Sequence, residues 1–128
     1  MTDRSDKGAL ARCRVLVVED EYFIADDMAK ALEKLGAEVV GPVPKPDKAL
    51  MLLSSGEGID AAVLDINLRG EEVFPVADAL AERGIPFVFA TGYDPSSVPV
   101  AYADVPRWEK PFNPDALAQA LPGIVRCA

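Results

Sequence analysis

Five side chains that could bind a cation and a phosphoryl group stand where predicted β-strands end. Glu19 and Asp20 directly follow an apolar run, and Asp65 ends a second apolar run. Thr91 follows a third run, and Lys110 follows a short stretch of strand-forming residues. Ligands of an open α/β sheet bind outside the carboxyl ends of its parallel strands. We therefore expect these five groups to lie together at one edge of a sheet.

The chemistry available to such a group is phosphoryl transfer assisted by a divalent cation. Three neighbouring carboxylates repel one another unless a cation lies between them. Mg²⁺ prefers oxygen ligands and shares its remaining positions with water and phosphate. A carboxylate can attack phosphorus to give an acyl phosphate, whose charge Mg²⁺ and a lysine would neutralise. The sequence contains no histidine, which excludes histidine-based zinc sites, Ser-His-Asp triads and a phosphohistidine donor.

Each of these residues taken alone also has an ordinary structural interpretation. An acidic pair after a strand commonly begins a helix, and an aspartate at a strand end is commonly a turn or capping residue. Thr91 before a glycine would then be a turn residue, and Lys110 an ordinary surface lysine. Suitable groups follow four of the five predicted strands in the expected order. This joint occurrence favours the phosphoryl site.

The composition limits the classes of partner and compartment. The chain has 128 residues, half of them apolar, and a net charge of −8, which suits one folded domain. Because the net charge is negative and the lysines and arginines are scattered, the sequence predicts binding neither to nucleic acid nor to a membrane surface. No secretory leader or apolar span is visible. We therefore expect a cytoplasmic protein in which Cys13 and Cys127 are free thiols.

The elements that position the candidate groups alternate between strand and helix. Strands are predicted at 14–18, 37–41, 59–64, 86–90 and 107–109. Helices are predicted at 24–35, 47–54 and 75–83, and a last one from 113 onward. Three prolines between 93 and 106 predict a fourth helix that is short or irregular. The fold class is α/β, a doubly wound five-stranded parallel sheet of the flavodoxin type. Residues 13–128 form the domain, and residues 1–12 are expected to be a flexible tail.

With these motifs in order, the sequence from Arg14 onward resembles the receiver domain of two-component response regulators. The resemblance rests on Glu19-Asp20, Asp65, Thr91 and Lys110-Pro111. It implies that Asp65 is the phosphoacceptor. It also implies that Glu19, Asp20 and Asp65 hold Mg²⁺ together with the backbone carbonyl of Asn67.

The same resemblance implies roles for residues near the last strands. Thr91 and Lys110 would each bind a phosphoryl oxygen, and the Lys110–Pro111 peptide bond would be cis. Residues 86–93, PFVFATGY, are similar to the signature of the "FAT GUY" receivers, which are mostly single-domain regulators. Members of that group work with sensor kinases of the HWE and related histidine-kinase classes.

Two departures from ordinary receivers concern the switch. Arg107 stands where ordinary receivers have a tyrosine or phenylalanine on the fifth strand, and prolines interrupt the region of the fourth helix. We therefore predict that the segment 93–105 is itself the switch, ordered when phosphoryl oxygens engage Thr91 and the nearby backbone. Gly92, Tyr93 and Arg107 are the predicted switch and shielding residues, and Tyr93 would shield the acyl phosphate from water.

The resemblance implies a stand-alone regulatory module and not an enzyme. This module would accept a phosphoryl group from a histidine kinase. It would then signal by protein contact, or serve as a phosphorelay intermediate or a phosphate sink. A phosphotransfer protein is a further expected partner. One alternative is a degenerate receiver that binds partners without phosphorylation. Another is an Mg²⁺-dependent phosphatase with Asp65 as nucleophile. Such enzymes usually carry a second aspartate two residues later, and this sequence has Asn67 there.

Overall fold

A computed structural model of the chain describes residues 9–56, 58–68, 71–91, 98–110 and 112–125, and for Asn67, Glu71 and Thr91 it describes the backbone alone. The main sheet has five strands in the order β2-β1-β3-β6-β7, and every pair is parallel. These strands are β1 (Arg14–Val18), β2 (Glu38–Val43), β3 (Ala61–Asp65), β6 (Phe87–Thr91) and β7 (Arg107–Glu109). The predicted fold class, a doubly wound parallel sheet, is confirmed.

Helices cover both faces of this sheet, because its strands are apolar on both sides. The helices are α1 (Tyr22–Lys34), α2 (Pro46–Ser54), α3 (Phe74–Glu82) and α4 (Pro114–Ala120). Val15 and Val17 of β1 pack in the cluster that includes buried residues of α1 and α4. The alternate residues Leu16 and Val18 pack in the cluster that includes buried residues of α2 and α3. Successive side chains of a strand point to opposite faces, so β1, β2, β3 and β6 contribute to both cores, whereas β7 contributes only Trp108, to the cluster under α1 and α4.

Two connections between strands and helices have a local structure of their own. The connection between β3 and the helix that follows it contains a short antiparallel pair, β4 (Asn67–Leu68) and β5 (Glu71–Glu72). The Leu68 side chain is buried in the core cluster under α2 and α3, and this contact holds the connection against the domain. In the region of the predicted fourth helix, the described part of the chain contains one 3₁₀ turn, Val100–Tyr102. The prediction of a short or irregular fourth helix is therefore confirmed.

The start of the domain lies earlier than predicted. Leu10, inside the predicted tail 1–12, is 0% exposed and packs in the core cluster under α1 and α4. Its backbone N–H donates to the carbonyl of Leu35 over 2.8 Å. An apolar side chain of this size gains free energy by leaving water, and Leu10 therefore draws the chain before β1 onto the body of the domain. Residues 1–8 lie outside the described residues.

Cys13 also differs from the prediction, because it is disulfide-bonded. The expectation of a free thiol is wrong for this residue, whose side chain is 1% exposed in the same core cluster. The one other cysteine of the sequence, Cys127, lies outside the described residues. Across the described ranges, no helix combines the length and apolarity needed to cross a bilayer.

Candidate functional site

Carboxylates from two neighbouring strands meet at the carboxyl edge of the sheet. Val18 of β1 lies beside Leu64 of β3 in the parallel register. The residues that follow, Glu19 and Asp65, are therefore neighbours. Glu19, Asp20 and Asp65 each offer a carboxylate oxygen, and these three oxygens lie within 4.8 Å of one another. The structure thus brings together the three carboxylates that the sequence predicted.

Lys110 directly follows β7, which is separated from β3 by β6 in the sheet. Its side chain reaches the carboxylate cluster from that direction. Its Nζ donates to Glu19 Oε2 over 3.0 Å and to Asp65 Oδ2 over 3.3 Å. The Lys110 side chain is 15% exposed, and those of Glu19 and Asp65 are 4% exposed each. Burial of both partners strengthens the attraction between their charges, since water screens them little.

Burial controls the ionisation of Asp65. Loss of solvent and the nearby charge of Glu19 raise the pKa of Asp65 from its ordinary value of 3.8 to about 8, although Lys110 pulls it downward. Burial lowers the pKa of the Lys110 ammonium, but the hydrogen bond to Glu19 and the charge of Asp65 raise it more, and the net pKa is raised. Lys110 is therefore charged at neutral pH, whereas Asp65 is mostly protonated there, and a further cation beside it would favour its ionised form.

A fourth acidic group, Glu21, which the sequence argument did not single out, lies next to Lys110. Glu21 Oε1 lies 3.7 Å from Lys110 Nζ. The backbone N–H of Glu21 donates to Glu19 Oε2 over 3.1 Å, which holds the Glu19 carboxylate at the entrance to α1. Glu21 is more than half exposed, so its charge is screened by water. The signal for it was present, because Glu19-Asp20-Glu21 is a continuous acidic run.

The remaining predicted site residues are only partly described. The backbone of Thr91 ends β6 and pairs with Glu109 of β7, one residue before Lys110. The backbone of Asn67 lies in β4, two residues after Asp65. Arg107 is exposed on β7. Gly92, Tyr93 and Pro111 lie outside the described residues, and so does the predicted cis bond at Lys110–Pro111.

The donor set of this cluster fits a small divalent cation. It offers carboxylate oxygens, the ligand type that Mg²⁺ prefers. It also concentrates more negative charge than Lys110 alone balances, and the raised pKa of Asp65 shows the cost of that imbalance. A cation between Glu19, Asp20 and Asp65 would stabilise the ionised state of all three.

Comparison with solved structures shows the same fold over most of this chain and most of the matched chains. The solution structure of SdrG from Sphingomonas melonis Fr1 is 49% identical in sequence and superposes with a TM-score of 0.75, covering 88% of this chain and 94% of the SdrG chain. A BeF₃-activated conformation of SdrG is 49% identical with a TM-score of 0.71, covering 87% and 94% of the two chains. The CheY-like response regulator receiver domain protein of Methanospirillum hungatei JF-1 is 28% identical with a TM-score of 0.74, covering 87% and 91%.

The curated relatives that match the chain have lower sequence identity than SdrG. The sensory transduction protein LytT of Bacillus subtilis is 29% identical over 111 residues, which cover 84% of this chain and 46% of LytT. The chain spans about half the length of the curated relatives it matches. No protein-family model matches the sequence.

Proposed function

Because this chain belongs to the response-regulator receiver family, we propose that it accepts a phosphoryl group on Asp65 in an Mg²⁺-dependent reaction. The observation that carries the proposal is the convergence of Glu19, Asp20 and Lys110 on a buried Asp65 at the carboxyl edge of the sheet. The family shown by the comparisons uses its domain in regulation, which agrees with a signalling role and not with turnover of a metabolite.

Asp65 would be the nucleophile of this reaction. A carboxylate oxygen of Asp65 forms a bond to phosphorus, while the bond from phosphorus to the imidazole nitrogen of a phosphorylated histidine kinase breaks. The kinase histidine keeps the electron pair of that bond and is then reprotonated by solvent. Lys110 Nζ, already 3.3 Å from Asp65 Oδ2, would pair with a phosphoryl oxygen and reduce the charge that develops there.

The metal would be held by residues of three neighbouring segments. Glu19 and Asp20 follow β1, Asp65 ends β3, and the backbone carbonyl of Asn67 comes from β4. Mg²⁺ bound there would neutralise charge on the transferring phosphoryl group. Glu19, which the structure pairs with Lys110, would be the carboxylate whose partners change most when a cation binds, since the cation and Lys110 attract the same oxygens.

We place the signalling role in the cytoplasm, with a sensor histidine kinase as the phosphoryl donor. The likeness of residues 86–93 to the FAT GUY signature favours a kinase of the HWE and related classes. The BeF₃-activated conformation of SdrG, at 49% identity, supports a site that accepts a phosphoryl mimic. Thr91 would bind a second phosphoryl oxygen, and output would proceed by protein contact or by onward transfer through a phosphorelay.

Intact-mass measurement after incubation with acetyl phosphate tests this proposal. We expect one added phosphoryl group on the wild type in the presence of Mg²⁺, and none after chelation of the metal. Asp65→Asn should remain unmodified, whereas the matched control Asp47→Asn, an exposed aspartate at the start of α2, should be modified like the wild type. An adduct that persists in Asp65→Asn would refute Asp65 as the acceptor. The absence of any adduct, from acetyl phosphate or from a phosphorylated histidine kinase, would refute the receiver chemistry.

A further inference from the structure

The strand β2 carries one residue more than β1 where the two strands reach the carboxylate cluster. Leu16 of β1 lies beside Val40 of β2. Two residues later on β1, Val18 lies beside Val43, which is three residues later on β2. The extra residue makes a β-bulge in β2, and Gly41 lies inside it. A bulge of this kind bends its strand and changes which groups face the neighbouring strand.

The bulge decides which carbonyl of β2 receives the first N–H after β1. That N–H belongs to Glu19, and it donates to the carbonyl of Val43 over 3.0 Å. In a register without the extra residue, the carbonyl of Pro42 would stand at this place, because the hydrogen bonds of parallel strands are evenly spaced. The bulge therefore ties the backbone of Glu19 to β2 at the residue where the metal site begins.

The side chain of Glu19 is held as closely as its backbone. Glu19 Oε2 accepts hydrogen bonds from the Glu21 N–H over 3.1 Å and from Lys110 Nζ over 3.0 Å. The side chain is 4% exposed, and a packed interior leaves it little room for another orientation. Because Glu19 is fixed at both ends, a displacement of Val43 must also displace the carboxylate.

The bulge in this form requires glycine at position 41. The φ angle of Gly41 is +92°, a conformation that disfavours residues with a Cβ. A Cβ at this position would lie 2.8 Å from the backbone nitrogen of Val43 and 3.1 Å from the carbonyl oxygen of Val17. Non-bonded carbon atoms attract best at about 3.5 to 4.0 Å, so both distances are too short. Both neighbours are backbone atoms that cannot rotate away, and a larger residue would therefore displace Val43.

Gly56 offers the same backbone conformation without these contacts. It lies just after α2, and its φ angle is +88°. A Cβ at Gly56 would meet no atom within 4 Å. Substitution of either glycine therefore introduces the strain of a positive φ angle. Substitution of Gly41 adds pressure on Val43, and the pair of glycines separates the two effects.

We propose that Gly41 is a positioning residue of the metal site, which sets the place of the Glu19 carboxylate through the carbonyl of Val43. The inference rests on the proposed function, because the group that Glu19 serves is Mg²⁺. Gly41 acts through the backbone of β2 and adds no side chain to the site. Mg²⁺ demands near-ideal ligand geometry. Its affinity should therefore respond to a displacement of Val43 that leaves the fold intact.

Calorimetric titration of Mg²⁺ into the metal-free protein tests this inference. We expect Gly41→Ala to bind Mg²⁺ about ten-fold more weakly than the wild type, because a group that orients a ligand is displaced. The matched control Gly56→Ala should unfold at lower urea concentration through the same strain, yet bind Mg²⁺ within about two-fold of the wild type. Equal Mg²⁺ affinities of Gly41→Ala and Gly56→Ala would overturn the inference.

A second variant separates the contact from the strain should Gly41→Ala fail to fold. Asparagine adopts positive φ angles more readily than alanine and still carries a Cβ. Gly41→Asn should therefore keep the fold better and still bind Mg²⁺ more weakly than its control Gly56→Asn. Equal affinities of these two variants would again overturn the inference.

A double-mutant cycle tests the route through Glu19, which a merely structural role would not affect. Glu19→Gln weakens Mg²⁺ binding by itself, and addition of Gly41→Ala should weaken it by no more than about two-fold further. A further loss of about ten-fold, as large as in the wild-type background, would show that Gly41 acts on another group.

Amide hydrogen exchange of the wild type gives a measurement that needs no variant. The Glu38 N–H donates to the carbonyl of Cys13 over 2.8 Å at the other end of the same strand pair. Mg²⁺ should slow exchange of the Glu19 N–H, bonded to Val43, more than exchange of the Glu38 N–H. Equal slowing of the two amides would overturn the coupling between the bulge and the site. A wild type that binds no Mg²⁺ would instead overturn the proposed function, and the positioning role with it.

Discussion

At the scale of the residue, the charge of Asp65 is the quantity that the site controls. The side chain is buried beside Glu19, and both influences oppose its ionisation. Lys110 favours ionisation but is shared with Glu19 and Glu21. An ionised Asp65 in this environment lowers the stability of the folded protein unless a cation is bound beside it. The free energy of unfolding should therefore depend on pH and on Mg²⁺.

We predict that the metal-free protein loses stability as the pH rises. The pKa of Asp65 is about 8 in the folded state against an ordinary value of 3.8, so the folded state holds a proton that the unfolded state has released between these values. Stability then falls with rising pH across that window. From about pH 5.5 to about pH 7.5, urea unfolding should show the wild type losing about 1 to 3 kcal/mol more than Asp65→Asn. Parallel losses in both proteins would contradict the raised pKa.

A second prediction concerns the competition between Lys110 and the metal. Without Mg²⁺, the Lys110 ammonium lies 3.0 Å from a carboxylate oxygen of Glu19 and 3.3 Å from a carboxyl oxygen of Asp65. Lys110→Met removes that cation, and we expect Mg²⁺ to bind about five- to ten-fold more tightly because the carboxylates then lack a counter-charge. Labelling by acetyl phosphate should become slower at the same time. Lys34→Met on α1, whose side chain is 68% exposed, is the control, and equal Mg²⁺ affinities in both variants would argue against direct competition.

At the scale of the element, the sequence pattern predicts best where local chemistry decides the structure. The Asn113 side chain accepts hydrogen bonds from the N–H groups of Asp115 and Ala116, over 2.9 and 3.2 Å, and Pro114 takes the first helical position. This start of α4 was predicted from residue types alone, because capping is a local interaction. The strands β1, β3 and β6 were predicted for a similar reason, since each coincides with a short apolar run of the sequence.

We predict that the cap contributes measurably to stability. Asn113→Ala should lower the free energy of unfolding by about 1 kcal/mol, because two backbone N–H groups of α4 lose their partner. Denaturant titration with an unchanged slope would measure this difference. Gln119→Ala, at an exposed position of the same helix, should stay within about 0.5 kcal/mol of the wild type. A loss as large for Gln119→Ala would show that the helix, and not its cap, is the sensitive feature.

Features that depend on distant contacts were not predictable from the sequence. Tyr102 lies in a proline-rich stretch without periodicity, and its contacts with the rings of Phe74 and Phe89 follow only from the packing of β6 and α3. Leu10 precedes the first strand without any pattern of its own, yet it is fully buried. In the site, the residue types predicted that Glu19, Asp20, Asp65 and Lys110 lie together. They did not predict the ion pair between Lys110 and Glu19. Such pairings arise from the tertiary arrangement of the strands.

At the scale of the whole molecule, the first strand and the last helix share one core. The same cluster buries Cys13, directly before β1, together with Leu117, Leu121 and Val125 near the end of the described chain. The Cys13 side chain in this cluster is disulfide-bonded. A covalent link limits the freedom of the unfolded chain and thereby favours the folded state.

We predict that reduction of this disulfide lowers the stability of the protein. Treatment with a dithiol reductant should decrease the free energy of unfolding by about 2 to 4 kcal/mol in the wild type. Cys13→Ser, which cannot form the bond, should unfold at the same denaturant concentration with and without reductant. Identical unfolding midpoints for the oxidised and reduced wild type would contradict a stabilising bond.

The most direct test of Asp65 as the phosphoacceptor is chemical trapping followed by peptide mass spectrometry. Borohydride reduces an aspartyl phosphate to homoserine and leaves free aspartates unchanged. After phosphorylation in the presence of Mg²⁺, we predict homoserine at position 65 and unmodified aspartate at position 20. Homoserine at position 20 or at another aspartate, with position 65 unmodified, would contradict the assignment of Asp65.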